Sequence, residues 1–426
     1  MTTTRERLAV NGGAPARRNP APPMYPGGMS IGAEEEQAVV EVIRSKRLFR
    51  YYGPHAGPSK TAEFEEAFAR QMGVHYARAV NSGTAALICA LVGAGVGPGD
   101  EVIVPAYTWI ATATSVVMLG AIPVLAEVDE SLTLDPEDVR RKITPLTRAI
   151  MPVHMRGAPA AMDALMTIAR EHGLAVIEDV AQADGGSYQG KRLGSIGDLG
   201  CFSLQFNKII TTGEGGVITT NDRNAYIRSS AYHDPTSVGM GRGFSAEEAP
   251  NFAGQNYRAS EFIGAVGLVQ LGRLDGLLEA MRQRKQRIKA GIQGIPGLEF
   301  RHIHDAQGDA SICIIMFLPT PEKAHEFGKA LSAENVGTWN LYHPDHSDLH
   351  VYAHWRQILE KGAMTAANFP WAPAYYKGAM NYSKEMCPRT LDLLGRAAHI
   401  DVSPLLTDQD VQETILAIHK VAEAIL

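Results

Sequence analysis

The sequence predicts an α/β fold, with a large domain on a mostly parallel central sheet followed by a smaller C-terminal α/β domain. Between residues 76 and 180, short apolar runs alternate with segments of helical period, as in parallel strands joined by crossover helices. Those runs are nearly continuous in Val, Ile and Leu, the pattern of strands buried on both faces. A chain of 426 residues, 45% hydrophobic and 20% charged, also suits one large domain and a smaller one.

Residues 1–32 are rich in Gly, Pro and Arg without a clear period and read as an N-terminal arm that packs on something else. The large domain is expected over 33–275. It opens with AEEEQAVVEVIRSK (33–46) and TAEFEEAFARQMG (61–73), apolar at helical spacing with acids in the first turn. YARAV (76–80) precedes the helix TAALICALVGAG (84–95), EVIVP (101–105) precedes TWIATATSVVMLG (108–120), and IPVLAEV (122–128) follows. RAIMPVH (148–154), the helix AMDALMTIAREHG (161–173) and LAVIEDV (174–180) complete the alternation. A long helix over about 259–292 is expected to bridge to the second domain, 276–426, with RQRKQRIK (282–289) as its wet face. In that domain ICIIMFLP (312–319) reads as a strand and DVQETILAIHKVAEAIL (410–426) as a closing helix.

The net charge of −6 argues against a nucleic acid or an anionic membrane as the main partner. Cys89, Cys201, Cys313 and Cys387 form no C-x-x-C pair and are expected to be reduced, small apolar residues. MTTTRERLAVNGG holds no apolar run of signal-peptide length and nothing later approaches a membrane span, so the cytoplasm is the expected location. In YHPDHSDLHVYAHW (342–355), His350 and His354 have the spacing of paired metal ligands on a helix. No HExxH or cysteine partner accompanies them, so no metal is expected, and the stretch reads as a substrate-side loop.

Four constellations carry chemistry. IEDVAQA (177–183) is a buried-strand pattern ending in Asp179, and ligands of open α/β sheets sit beyond such strand ends. An acid there suits the ring nitrogen of pyridoxal 5′-phosphate (PLP), although a strand-end Asp also caps turns. CFSLQFNKIITTGEGG (201–216) places Lys208 between an apolar strand and a glycine-rich turn, with Ser203 five residues earlier. A desolvated lysine loses its proton readily and forms an imine with an aldehyde, although a plain surface lysine fits the segment too. NSGTAAL (81–87) opens a helix after a strand, so Ser82, Gly83 and Thr84 would offer N–H groups to a phosphate dianion, or simply begin a helix. Trp109, in PAYTWIAT (105–112), offers a flat ring for stacking on a pyridine, or a core aromatic. Their joint occurrence along one chain, cradle, aromatic, acid and lysine in that order and each at a strand end, favours the cofactor reading.

With those motifs in place, the chain resembles the sugar aminotransferase (DegT/StrS-like) family of fold-type I PLP enzymes, from LAVNGG (8–13) to SPLLTDQDV (403–411). The resemblance implies Lys208 as the Schiff-base lysine and Asp179 as the partner of the pyridine nitrogen. It implies Gln182 near the cofactor's phenolic oxygen and Ser82, Gly83, Thr84 and Ser203 at the phosphate. Trp109 matches the ring-stacking position, where Phe is more usual. GQNYRASE (254–261) resembles a loop whose Asn, here Asn256, reaches the phosphate of the neighbouring subunit, which implies a homodimer with shared sites. The implied reaction transfers an amino group from L-glutamate or L-glutamine, through pyridoxamine phosphate, to a ketone or aldehyde of a sugar, cyclitol or related natural-product intermediate. A branch with His in place of the lysine dehydrates deoxysugars, so Lys208 favours transamination over a dehydratase. A regulatory protein on the same scaffold would be expected to lack the lysine or the acid. VHM (153–155), GDASICIIMFLPT (308–320) and AHWRQI (353–358) look like the branch that makes an 8-amino octulosonate sugar, whereas RSKRLFRYYGP (44–54) looks like antibiotic-pathway relatives. Arg50, Tyr51, Tyr52, His154 and Arg156 are the candidates for lining the substrate mouth.

Overall fold

The computed structural model of the protein describes residues 7–51, 58–236, 244–245 and 247–426. Tyr52 lies outside the described residues. The strands β1 (Tyr76–Val80), β2 (Glu101–Pro105), β3 (Ile122–Ala126), β4 (Thr147–Ile150) and β5 (Ala175–Asp179) lead through a hairpin of β6 (Ser187–Tyr188) and β7 (Lys191–Arg192) to β8 (Leu199–Ser203) and β9 (Gly216–Thr220). Except for the hairpin they form one sheet in the order β1-β9-β8-β5-β4-β2-β3. It is parallel from β3 through β8 and antiparallel where β9 pairs with β8 and β1. β2, β3, β8 and β9 are buried along their whole length, which explains their unbroken apolar runs.

The helices are α1 (Pro26–Met29), α2 (Ala33–Ser45), α3 (Lys60–Met72), α4 (Gly83–Gly93), α5 (Ala111–Met118), α6 (Pro136–Lys142), α7 (Met162–His172), α8 (Arg223–His233) and α9 (Glu261–Ile292). α4 is buried from Ala85 through Gly93 because it lies between the sheet, α5 and α8, so its sequence is apolar all round. α9 begins against α3, where its Glu261 carboxylate accepts from Ser59 Oγ (2.6 Å) and the Lys60 N–H (2.7 Å), joining the two helix starts. It ends against α13 (Asp408–Ile425) and the second sheet. The expected boundary at 275 and 276 thus falls inside one continuous helix, which packs on α2 and α3 at one end and on α13 and β11 at the other.

The second sheet, β10-β11-β13-β12, is antiparallel and uses β10 (Glu299–Phe300), β11 (Cys313–Phe317), β12 (Thr338–Asn340) and β13 (Ala397–Asp401). α10 (Pro321–Ala333) and α13 pack with it, while α11 (Arg356–Leu359) and α12 (Pro388–Gly395) flank a long excursion of the chain. That excursion returns to the first sheet. Tyr382 Oη donates to the Pro123 carbonyl (2.6 Å), Tyr376 donates to Glu101, and Trp371 clusters with Ile122. The expected C-terminal domain therefore does not hold residues 371–382 to itself. The arm crosses the other way: the Ala9 and Ala16 N–H groups bond the buried Glu334 carboxylate at 2.8 and 2.6 Å. It then passes the first sheet, where the Gly27 N–H donates to the Lys208 carbonyl (3.2 Å). Among the described residues no helix is long and apolar enough to cross a membrane.

Candidate active site

The sheet register assembles the first part of the site. β1 and β8 are both antiparallel to β9, so they run in the same direction and end at the same edge. Val80 and Ser203 both pair with Gly216 there. This puts Ser203 against the start of α4, where a Cβ on Gly83 would come 2.7 Å from that of Ser203. Ser82 caps the helix, its Oγ accepting from the Ala85 N–H at 3.1 Å. The N–H groups of Gly83 and Thr84, the first two of the helix, take no partner among the described residues and are free for an anion. Gly216 is required for the approach, because a Cβ there would lie 2.4 Å from the Ser82 carbonyl oxygen.

Next in the sheet, Asp179 ends β5, 4% exposed. Its Oδ2 accepts from Thr112 Oγ1 (2.8 Å) and its Oδ1 from the Ala181 N–H (3.1 Å). Burial pushes this carboxyl above its usual range, against the opposing pull of those two donors and of Lys208. Lys208 lies in the loop after β8. Burial lowers its ammonium below the usual lysine range, while Asp184 and then Asp179 favour the charged form. Asp179 ends β5 and Lys208 follows the neighbouring strand β8, so both lie at the carboxyl ends of adjacent parallel strands, the location expected for a ligand of an open α/β sheet.

Arg156 and His154 follow the same strand and diverge. Arg156 has φ +53°, a left-handed turn, and its Nε donates to Tyr107 Oη (3.3 Å). Its guanidinium lies within the charge environment of Lys208 and 5.9 Å from the Trp339 ring. The Arg156 N–H donates to Gln182 Oε1 (3.1 Å), which fixes that amide beside Asp179's turn. His154 departs from the expectation of a mouth residue. Its side chain is fully buried, with Nε2 at 3.0 Å from Glu178 and Nδ1 accepting from the Ala160 N–H at 3.1 Å. It points to the Glu178 side of the strand, and with both nitrogens engaged it braces β5.

Arg50 and Tyr51 are engaged behind β1. Arg50 pairs with Glu65, and Tyr51 Oη lies 3.1 Å from His233 Nε2 and accepts from Arg78 at 3.2 Å. Trp109 is 46% exposed, its ring 5.0 Å from that of His350. Asn256 is exposed on a loop held beside the end of β1, where Tyr257 accepts from the Asn81 N–H at 2.9 Å.

The sequence model of the DegT/DnrJ/EryC1/StrS aminotransferase family matches residues 29–368. The chain belongs to that family. It is 34% identical over 92% of its length to the spore coat polysaccharide biosynthesis protein SpsC of Bacillus subtilis, covering 95% of that protein. It is 39% identical to the L-glutamine:2-deoxy-scyllo-inosose aminotransferase of Streptoalloteichus tenebrarius over 68% of this chain and 69% of that one. Among solved structures it resembles 3-amino-5-hydroxybenzoic acid synthase with a TM-score of 0.77 at 28% identity, covering 96% of this chain and 99% of that one. The protein is accordingly a PLP-dependent aminotransferase with the α/β fold of that class.

The residues present suit the family's cofactor. The N–H groups at the start of α4 lie against Ser203 and are unpaired among the described residues, as a phosphate cradle requires, and a buried carboxyl (Asp179) and a partly buried amine (Lys208) are the groups the ring nitrogen and the aldehyde would need. Several neighbours escaped sequence reading. Thr112 orients Asp179, Tyr107 holds Arg156, and Asp348 Oδ1 bonds His350 Nδ1 at 2.7 Å. Asp184, whose two carboxyl oxygens are buried without a hydrogen-bond partner, was visible only as one more acid after IEDVAQA. A cavity of about 380 Å³ opens on the second-sheet side, lined by Trp339, Asn340, His325, His343, His346 and Asp348. Trp339 and Asp348 connect it to the Arg156 and His350 side of the pocket. Among the described residues no cluster of His, Cys, Asp and Glu is arranged to hold a metal ion.

Proposed function

We propose that this aminotransferase moves the amino group of L-glutamate or L-glutamine to the ketone or aldehyde carbon of a polyhydroxylated acceptor, a sugar or a cyclitol, as a homodimer with shared sites. The observation that carries the catalytic assignment is that a buried carboxyl, Asp179, ends β5 while a partly buried lysine, Lys208, follows the neighbouring parallel strand β8. PLP, when bound, supplies the aldehyde that carries the amino group and the ring that absorbs the developing negative charge. Asp179 holds the proton on the ring nitrogen, and Ser82, Gly83, Thr84 and Ser203 hold the phosphate. Trp109 packs on the ring and Gln182 orients its phenolic oxygen. Lys208 would act as the base that takes the donor's Cα proton and passes it to the cofactor's aldehyde-derived carbon, and in the reverse half would deliver a proton to the acceptor carbon.

Arg156 is placed to receive the donor's carboxylate, as a cation held by Tyr107 and walled by Trp339. The cleft beyond it offers an indole face, an amide and imidazoles, groups that suit a ring bearing several hydroxyls. Asn256 is exposed, as a residue reaching the phosphate of a neighbouring subunit would have to be. The test is a screen of keto-cyclitols, nucleotide-linked keto sugars and sugar aldehydes with glutamate and glutamine. Stoichiometric amine product from one of these classes is expected, and Lys208→Ala should abolish both turnover and the imine absorbance. Turnover retained by Lys208→Ala would refute the assignment of the lysine.

A further inference from the structure

Arg301 follows β10 and is 4% exposed, its own N–H bonded to the Ile315 carbonyl of β11 at 3.0 Å. Its side chain leaves the second sheet for the turn that carries Arg156. Nη1 donates to the Met155 carbonyl and Nη2 to the Arg156 carbonyl, each at 3.0 Å. Cys313 Sγ adds a donor to the Arg156 carbonyl at 3.5 Å, and the Ala310 N–H bonds the next carbonyl, that of Gly157, at 2.9 Å. Successive carbonyls of this turn are thus held by one stretch of chain, residues 301–313. Taking a guanidinium out of water is costly unless its donors are satisfied. Among the described residues Arg301 pairs with no carboxylate, so its buried charge is answered by these two carbonyls.

The Met155 and Arg156 carbonyls flank the Cα of Arg156. One belongs to the peptide plane before that atom and the other to the plane after it, so the angle between them is set by φ and ψ of Arg156. A planar fork that bonds both carbonyls therefore fixes those torsions. They need fixing, because Arg156 has φ +53°, a left-handed conformation that a residue with a Cβ resists. The Arg156 N–H, antiparallel to the Met155 carbonyl across one peptide plane, is aimed at Gln182 Oε1 by the same clamp. We propose that Arg301 is a positioning residue for the amino donor: it holds the Arg156 backbone in the left-handed turn and so places the Arg156 guanidinium for the donor's carboxylate. The inference rests on Arg156 receiving that carboxylate, as proposed above. Tyr107 Oη bonds Arg156 Nε at 3.3 Å, so the side chain is held at its root by Arg301 and near its head by the phenol.

The donor half-reaction tests this without any acceptor, because L-glutamate or L-glutamine alone should bleach the absorbance of the PLP-loaded enzyme. Arg301→Met keeps most of the apolar stem and removes both donors. The donor concentration giving half the limiting rate should rise about tenfold, the size of the bias against a left-handed residue bearing a Cβ. The limiting rate, and the affinity for PLP in equilibrium dialysis, should stay close to the wild type. Calorimetry with 2-oxoglutarate, which lacks the amine, should show a similar loss of affinity in the loaded enzyme. Arg156→Met should raise the same half-saturation, and adding Arg301→Met to it should add nothing further, since the clamp then has no guanidinium to place. A wild-type half-saturation in Arg301→Met, a fall confined to the limiting rate, or additive losses in the double variant would overturn the proposal. Should Arg301→Met fold poorly, Arg301→Lys decides. Its ammonium is no planar fork and cannot fix both peptide planes, so half-saturation should still rise several-fold, and a wild-type value would overturn the proposal. An unchanged half-saturation in Arg156→Met would sink the reading of Arg156 and this inference with it, whereas a rise there without one in Arg301→Met sinks this inference alone.

Discussion

Thr112→Val tests how the fold sets the charge of Asp179. The threonine hydroxyl donates to Asp179 Oδ2 at 2.8 Å in a buried setting, and it in turn lies 2.7 Å from Thr108 Oγ1. Valine keeps the shape and removes the donor. A hydrogen bond to a charged group contributes about 1.5–3 kcal/mol. At ~1.4 kcal/mol per factor of ten, its loss lowers the ratio of ionised to protonated Asp179 by roughly ten- to a hundredfold. The sign follows from the direction already present. Burial raises this carboxyl, Thr112 opposes the rise, and removing Thr112 raises it further. A protonated Asp179 cannot balance a positive ring nitrogen, so the acid limb of the kcat–pH profile should move to higher pH. Thr112→Ser should keep both the limb and most of the rate. The reasoning fails if valine lowers kcat without displacing the acid limb, or if serine behaves as valine does.

Two further outcomes separate binding from bracing. Gly216→Ala should weaken PLP binding by tenfold to a hundredfold in equilibrium dialysis, because its Cβ would come 2.4 Å from the Ser82 carbonyl oxygen and displacing that backbone costs about 1–3 kcal/mol. An unchanged affinity would mean the cradle gives way without loss. His154→Leu should destabilise the protein by about 2 kcal/mol in urea unfolding, since it strips one donor from the buried Glu178. Its kcat per cofactor-loaded molecule should stay close to the wild type, whereas a mouth residue would show its loss in KM.

How much of this was legible follows from particular residues. EVIVP and IPVLA read as buried strands because the neighbours on both faces of β2 and β3 leave no polar side to encode. YARAV read equally well as a strand, yet its antiparallel pairing with β9 did not, because five side chains carry no mark of strand direction. GVITT, which provides that pairing, has only two large apolar residues and follows a glycine-rich turn, too little pattern to stand out as a strand. The return of residues 371–382 to the β2–β3 edge was hidden for a different reason. Trp371, Tyr376 and Tyr382 anchor it one at a time, with no helical or strand period between them. Asp179 and Lys208 stood out because each sits where a strand pattern stops. His154 and Arg156 could not be told apart in that way, since the left-handed turn at Arg156 decides which of the two faces the pocket.

Three acids within seven residues of the β5 end show why position along the chain was a poor guide to role. Glu178 accepts four bonds, from His154, Gly194, Ile196 and Gly197, and so has no lone pair left for chemistry. Asp179, on the opposite face of the same strand, accepts two, enough to hold its orientation while leaving two lone pairs for further donors. Asp184 accepts none. Side chains of one chemical kind are thus graded by the donors the fold supplies, from saturated to empty, and a carboxyl's reactivity rises as its hydrogen bonds are withdrawn. The same grading accounts for the order of their tasks. The saturated acid fixes the strand, and the half-satisfied one keeps lone pairs that a ring N–H could occupy.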